Sequence, residues 1–277
     1  MTTSLLRPRF GLLPWIVGTA ALVAIASGLF QRTAAFSQTN GAADGTPVVL
    51  ELFTSQGCSS CPPADALLSE LGSSSKGVIP LAYHVDYWNH LGWSDPFSSR
   101  QFSERQDEYA RRMNLGGDYT PQMVIGGDSQ CVGSDRRSIA RAISVEHSSS
   151  APGHVSLHTT LGRGSPRTLQ VKVKAQMERT TADGPFVVMV VIFENGLITK
   201  IGGGENGGRE ITYDYTVRKL LPAFDLEVAE DPSVEKDVAI DLDPAWSLDH
   251  LGAAAFIQST SSLRILGSAA EYPITKD

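Results

Sequence analysis

The chain has little cysteine: three in 277 residues, at Cys58, Cys61 and Cys131. That is too few for a disulfide-built scaffold, and any single pair leaves one thiol over. Positive charge is also short, with 23 Lys and Arg against 30 Asp and Glu and a formal net charge of −7. An acidic surface without a basic stripe argues against nucleic acid and anionic membrane surfaces as partners. There is no Walker A loop, no nucleophile-elbow serine and no H-E-x-x-H pair, so the chain lacks the residues of those nucleotide, acyl-transfer and zinc chemistries. No internal repeat is visible, and composition is otherwise that of a globular protein, 42% hydrophobic and 19% charged.

One long apolar run is present, at the N-terminus. Arg7 and Arg9 precede an almost uncharged stretch from Phe10 to Phe30, and Ala35-Phe36-Ser37 fits a small-x-small cleavage signal ahead of Gln38. Residues 1–37 read as a signal peptide, or as an N-terminal membrane anchor if they are retained. On either reading the body is exported, periplasmic or secreted, with the apolar segment as its sole membrane attachment. No cysteine follows the segment closely, which argues against a lipoprotein. Removing residues 1–37 takes away Arg7, Arg9 and Arg32 and no acid, so −7 becomes −10. Residues 38–46 are small and Gly-rich, a linker.

The next stretch carries chemistry. Val48 to Phe53 is an apolar, β-branched run of strand length, and a polar turn through Gly57 leads to Cys58 and Cys61. Ala64 to Leu71 then shows helical spacing. A strand, a turn and a helix beginning at a C-x-x-C pair is the arrangement of a thiol–disulfide site, with Cys58 attacking and Cys61 resolving. Ser59 and Ser60 could donate hydrogen bonds to a thiolate. Pro62 and Pro63 predict that the helix begins after the second cysteine, which weakens the helix-dipole effect on Cys58. A permanent structural disulfide and a metal site remain open alternatives. His84, Asp86 and His90 lie after a second strand at 78–85, but their spacing matches no standard metal motif, and hydrogen bonding around the loop of Tyr87, Trp88 and Trp93 is the preferred account.

Further along, 99–113 reads as a helix, 119–125 as a strand, 130–133 as its antiparallel return, and 135–147 as a capped helix. The order β-α-β-α-β-β-α is that of the thioredoxin fold. Thr120-Pro121 resembles the residue and cis-proline that face the cysteines in that superfamily, and 120–135 is similar to the glutaredoxin pattern. Three blocks, Glu51 to Asp65, His84 to Trp93 and Asp95-Pro96-Phe97, resemble a family of exported bacterial thioredoxin-like proteins of unknown function. The resemblance implies a thioredoxin-like domain at 47–150, with Thr120 and Pro121 contacting a protein or small thiol substrate and no cofactor.

Beyond Pro152 the pattern changes to short strands with turns, the expectation being an antiparallel β-sandwich over 152–277. Asn195-Gly196 reads as a hairpin turn after the apolar strand 186–193, with 197–201 returning, and more strands are expected at 211–218, 222–230, 236–242, 253–259 and 263–267. Cys131 reads as a buried small hydrophobe. Gly202 to Gly207 matches G-x-G-x-x-G, but a strand follows where a dinucleotide site needs a helix, so a sharp β-connection held by Glu205 and Arg209 is expected.

Overall fold

Val48–Thr54 forms strand β1, and all seven of its residues are buried, with apolar side chains on both faces and Glu51 and Thr54 as its two polar members. The computed structural model describes residues 45–75, 77–149, 151–162, 167–177, 183–226 and 233–275. The segment 1–37 expected to direct export, most of the expected linker 38–46 and the end of the strand expected at 222–230 lie outside the described residues. Helix α1, Pro62–Ser74, starts after Cys61 with prolines in its first two positions, where their missing N–H groups cost no intrahelical bond. Strand β2, Val78–His84, runs parallel to β1 in the register Val48↔Val78 to Thr54↔His84. Helix α2, Arg100–Arg112, is capped by Ser99, whose hydroxyl accepts from the Gln101 amide. Strand β3, Gln122–Ile125, is antiparallel to β1, and β4, Ser129–Val132, is antiparallel to β3. Helix α3, Arg136–Ser148, is capped by Asp135. The element order expected from the sequence is therefore present.

Among the described residues nine strands follow: β5 Gly153–Leu161, β6 Thr168–Met177, β7 Phe186–Glu194, β8 Leu197–Lys200, β9 Glu210–Tyr213, β10 Thr216–Leu226, β11 Ser233–Asp241, β12 Leu251–Ser259 and β13 Ile265–Glu271. They do not all stay with one another. The large sheet has the order β13-β12-β7-β10-β2-β1-β3-β4, because β10 joins β2 in parallel at Thr216↔Ala82. Four strands from beyond residue 151 thus extend the sheet begun by the first 150. Antiparallel sheets β11-β6-β5 and β8-β9 complete a mixed α/β fold that is predominantly β. Two local expectations are corrected. The strands expected at 211–218 and 222–230 are instead β9, ending at Tyr213, and a single β10 from Thr216 to Leu226. Asn195-Gly196 does not turn β7 back on itself: β8 pairs with β9, and the Asn195 side chain accepts from the Tyr215 amide at 2.6 Å. Among the described residues no helix is long and apolar enough to cross a membrane.

The period-two pattern of β6 places Leu169, Val171, Val173 and Ala175 on one core with Val188, Val190 and Ile192 of β7 and Ala253, Ala255 and Ile257 of β12. The other face of β7 and β12, through Met189, Val191, Phe193 and Phe256, packs with Phe53, Tyr83 and the α2 residues Phe102 and Tyr109. Helices α1 and α3 cover Leu50 and Leu52 with Leu67, Leu68 and Ile139. Each fully buried side chain of this size contributes about 1.5–3 kcal/mol. Within the α2 layer lies a buried ion pair, Arg105 Nε to Glu51 Oε1 at 2.7 Å and Nη2 to Oε2 at 3.0 Å. The Tyr109 hydroxyl also donates to Glu51, and Gln258 of β12 accepts from Arg105 at 3.1 Å, so the network ties β1, α2 and β12 together.

Candidate functional site

At the end of β1 the chain turns twice before α1. The Cys58 amide donates to the Ser55 carbonyl at 3.2 Å, and the Cys61 amide donates to the Cys58 carbonyl at 3.2 Å. Cys58 and Cys61 form a disulfide with Cα atoms 5.5 Å apart. Cys61 is the cap of α1, and its carbonyl receives the amides of Ala64 and Asp65 at 2.8 and 3.1 Å. The positive helix end therefore lies at Cys61, as the two prolines predicted. The Cys58 sulfur stands 3.3 Å from the Ser60 hydroxyl. Ser59 turns elsewhere. Both sulfur-bearing residues are buried, Cys58 at 1% and Cys61 at 0% exposure, although Ser59 and Ser60 between them are exposed.

The Thr120-Pro121 peptide bond is cis. The register Phe53↔Gln122 puts Pro121 level with Thr54, at the end of β1 from which the cysteine turn departs. Gly133 is wedged between Leu52, Ala64 of α1 and Pro121: a Cβ there would stand 2.6 to 3.1 Å from their side chains. Trp88 donates its indole N–H to the Thr120 hydroxyl at 2.9 Å, joining the aromatic loop to the proline strand.

A buried polar cluster lies beneath the turn. Asp65 is buried on α1, its Oδ1 accepting from Thr54 at 2.7 Å while Oδ2 has no hydrogen-bond partner among the described residues. Burial pushes its carboxyl up to about 6, against the opposing effects of the His84 charge and the Thr54 hydrogen bond. His84 Nδ1 is 2.7 Å from Asp95 Oδ2, both side chains fully buried. Burial disfavours the imidazolium, but the Asp95 carboxylate outweighs it and raises His84. Asp95 moves the other way, lowered by the His84 charge and by amides of Gln56 and Phe97 despite its burial. The two shifts agree on an ion pair. The Asp95 carboxylate also accepts from the Gln56 amide at 2.9 Å, so the pair anchors the start of the cysteine turn. Tyr213 packs edge-on to the His84 ring, with centroids 5.2 Å apart.

The residues considered as a metal set are not brought together. His84 is in this cluster, Asp86 accepts from Ser103 at 2.5 Å, and His90 is exposed. Among the described residues no group of three His, Cys, Asp or Glu could hold a metal ion. Cys131 is half-buried on β4 opposite Met123, and burial, with Asp135 adding to it, pushes its thiol up to about 11. A cavity of about 570 Å³ lined by Val49, Glu146, His147 and His154 includes none of the cysteine-site residues.

The glycine-rich stretch gives the largest departure from expectation. It does connect β8 to β9, and Arg209 holds it, donating to Asn206 Oδ1 at 2.7 Å while its carbonyl accepts from the Ile201 amide. Glu205 has a different partner: its carboxylate accepts from the Ser59 amide and hydroxyl at 2.9 and 2.6 Å. Asn206 donates to the carbonyls of Gln56 and Cys58 at 3.0 and 2.8 Å. Residues 146 to 150 positions downstream of the cysteine turn thus lie directly on it. Hydrogen-bonding side chains on a surface loop carry no periodic signal, and this contact leaves no trace in local spacing. Gln56, Asp95 and Tyr213 were missed for a related reason, since only their tertiary neighbours distinguish them.

A family model described as a protein of unknown function, DUF1223, matches residues 49–258, most of the described chain. The chain belongs to the DUF1223 family. Its structure is similar to that of protein AGR_C_4864 from Agrobacterium tumefaciens, with 26% identity, a TM-score of 0.64, and coverage of 85% of this chain and 98% of that one. It also shares its fold with HBP35 of Porphyromonas gingivalis, at 18% identity and a TM-score of 0.63 over 82% of this chain and 75% of that one. No curated protein matches. For this DUF1223 member the blocks around Cys58, His84 and Asp95 all fall inside the matched range, and in space they form the one site just described.

Proposed function

We propose that this DUF1223 protein is an exported thiol–disulfide oxidoreductase with Cys58 and Cys61 as its redox pair. The observation that carries the reading is the disulfide at the start of α1 with the cis Thr120-Pro121 bond level with the turn. The element order and the sheet order β2-β1-β3-β4 support a thioredoxin-like unit over 47–150, with the later strands elaborating it and the three-stranded sheet packing sandwich-like on its extension. The Cys58 thiolate attacks a partner disulfide, forming a mixed disulfide and releasing one partner thiolate. The Cys61 thiolate then attacks the Cys58 sulfur, releasing the second partner thiolate and closing the Cys58–Cys61 bond. Two electrons pass to the partner, and the reverse sequence returns them. Cys61, wholly buried at the helix cap, suits the resolving role. Thr120 and Pro121 border the place where the partner chain would lie. A pair that rests as a disulfide suits an oxidising compartment, in line with residues 1–37 acting as a signal peptide or anchor and the body being periplasmic or secreted.

The competing reading is a structural disulfide, favoured by the burial of both cysteines. Trapping separates the two. A reduced Cys61→Ser variant mixed with a disulfide-bonded peptide should accumulate a mixed disulfide through Cys58. Its absence, or its formation through Cys131 alone, would refute the exchange reading.

A further inference from the structure

We propose that the loop Gly202–Gly208 is a cover over the Cys58–Cys61 disulfide, latched by Asn206, which determines the thiols that reach Cys58; this rests on the exchange reading above. Cys58 is only 1% exposed although Ser59 and Ser60 are open to solvent. The cysteine turn is therefore at the surface of the underlying unit, with the loop lying on it. Asn206, itself 1% exposed, holds two carbonyls of the turn, one of them that of Cys58. Glu205 holds Ser59 by two bonds. The latch is thus made to the C-x-x-C segment itself and to its approach.

The glycines fit the contact. Gly204 has φ of +67°, and a Cβ on it would stand 3.6 Å from the Gly57 Cα. On Gly203 a Cβ would lie 2.4 Å from the Gly92 carbonyl oxygen, so only glycine lets the loop settle against the aromatic loop. Trp93 completes the packing, donating its indole N–H to Gln56 at 2.9 Å. The cover is carried by β8 and β9, a two-stranded ribbon outside the large sheet. The ribbon is itself anchored, Tyr213 of β9 packing on His84 and Thr199 of β8 accepting from Gln56 Nε2 at 3.1 Å. The loop beyond it is held by the side chains at its tip and is the part that opens.

When the loop lifts, an incoming thiolate attacks the Cys58 sulfur. The Cys58–Cys61 bond breaks, a mixed disulfide forms at Cys58, and Cys61 leaves as a thiolate. A reagent that cannot displace the loop waits for spontaneous opening. Asn206 is a positioning residue in this scheme, and it acts on rates in both directions.

The test uses the exported chain and dithiothreitol, with the reduction rate followed by thiol trapping and mass spectrometry. Asn206→Asp keeps the shape and the Arg209 partner but turns a carboxylate oxygen toward the two carbonyls, and Gly203→Ala forces the loop off Gly92. Losing two buried hydrogen bonds predicts reduction about tenfold faster or more in each variant. The reoxidation rate should rise in step, leaving the equilibrium with dithiothreitol nearly in place, which a merely destabilised fold would not do. Wild-type disulfide reduced as fast as either folded variant overturns the cover and leaves the exchange reading standing. A disulfide that resists dithiothreitol in wild type and in both variants until the chain unfolds overturns both.

Discussion

Replacing Asp65 by Asn tests the polar cluster under the cysteine turn. In the folded protein this carboxyl holds its proton up to about pH 6, mainly because it is buried, against an ordinary value of 3.8. The folded state therefore binds more protons than the unfolded chain between these values. Stability from this group is fullest below about pH 4 and is lost as pH rises through 6. The difference corresponds to about 3 kcal/mol once the carboxyl is forced to ionise. Asn cannot ionise, and its Oδ1 can still accept from Thr54. The new amide N–H has its own cost, but that cost is the same at every pH. Relative to wild type, the variant should therefore gain roughly 2–3 kcal/mol between pH 4 and pH 8. Denaturant unfolding of the chain without residues 1–37, with its disulfide intact, at both pH values, reads this directly. His84 is paired with Asp95 in both proteins, and Asp65 supplies only a smaller part of what raises it. A gap between variant and wild type that is the same at pH 4 and pH 8 would refute an Asp65 that is protonated by burial.

Arg105→Met should destabilise by about 3–5 kcal/mol in chemical denaturation, because it leaves the wholly buried Glu51 carboxylate without its cation. Adding Glu51→Gln should recover part of that loss; a double variant weaker than the sum of its parts would contradict the pairing. Native Cys131 should alkylate more slowly at pH 8 than a free cysteine, since its thiol is held up to about 11. Cys131→Ala should leave the redox behaviour of the Cys58–Cys61 pair unchanged in thiol trapping.

Much of the first 150 residues was legible because each element carries its own local signal: the all-buried run of β1, the prolines after Cys61, the Asp135 cap and the Gly126-Gly127 turn, where both glycines have positive φ. The joining of β10 to β2 was not, since parallel pairing at Thr216↔Ala82 depends on a connection of more than a hundred residues. The same limit hid Asn206. Its hydrogen bonds to Gln56 and Cys58 span 150 and 148 positions, and the local pattern pointed only to a sharp β-connection held by Glu205 and Arg209. Asn195-Gly196 shows the opposite failure, a strong local turn signal overridden when β8 found β9 as its partner.

The central claim is that Cys58 and Cys61 exchange electrons with thiols in the folded protein. Equilibrium titration of the chain without residues 1–37 across dithiothreitol buffers, with thiols trapped at each ratio and assigned by mass, measures this most directly. Exchange chemistry predicts reversible interconversion of the pair in the native state, at a potential above about −300 mV. A pair that remains oxidised well below that potential, and is reduced only as the chain unfolds, would contradict it.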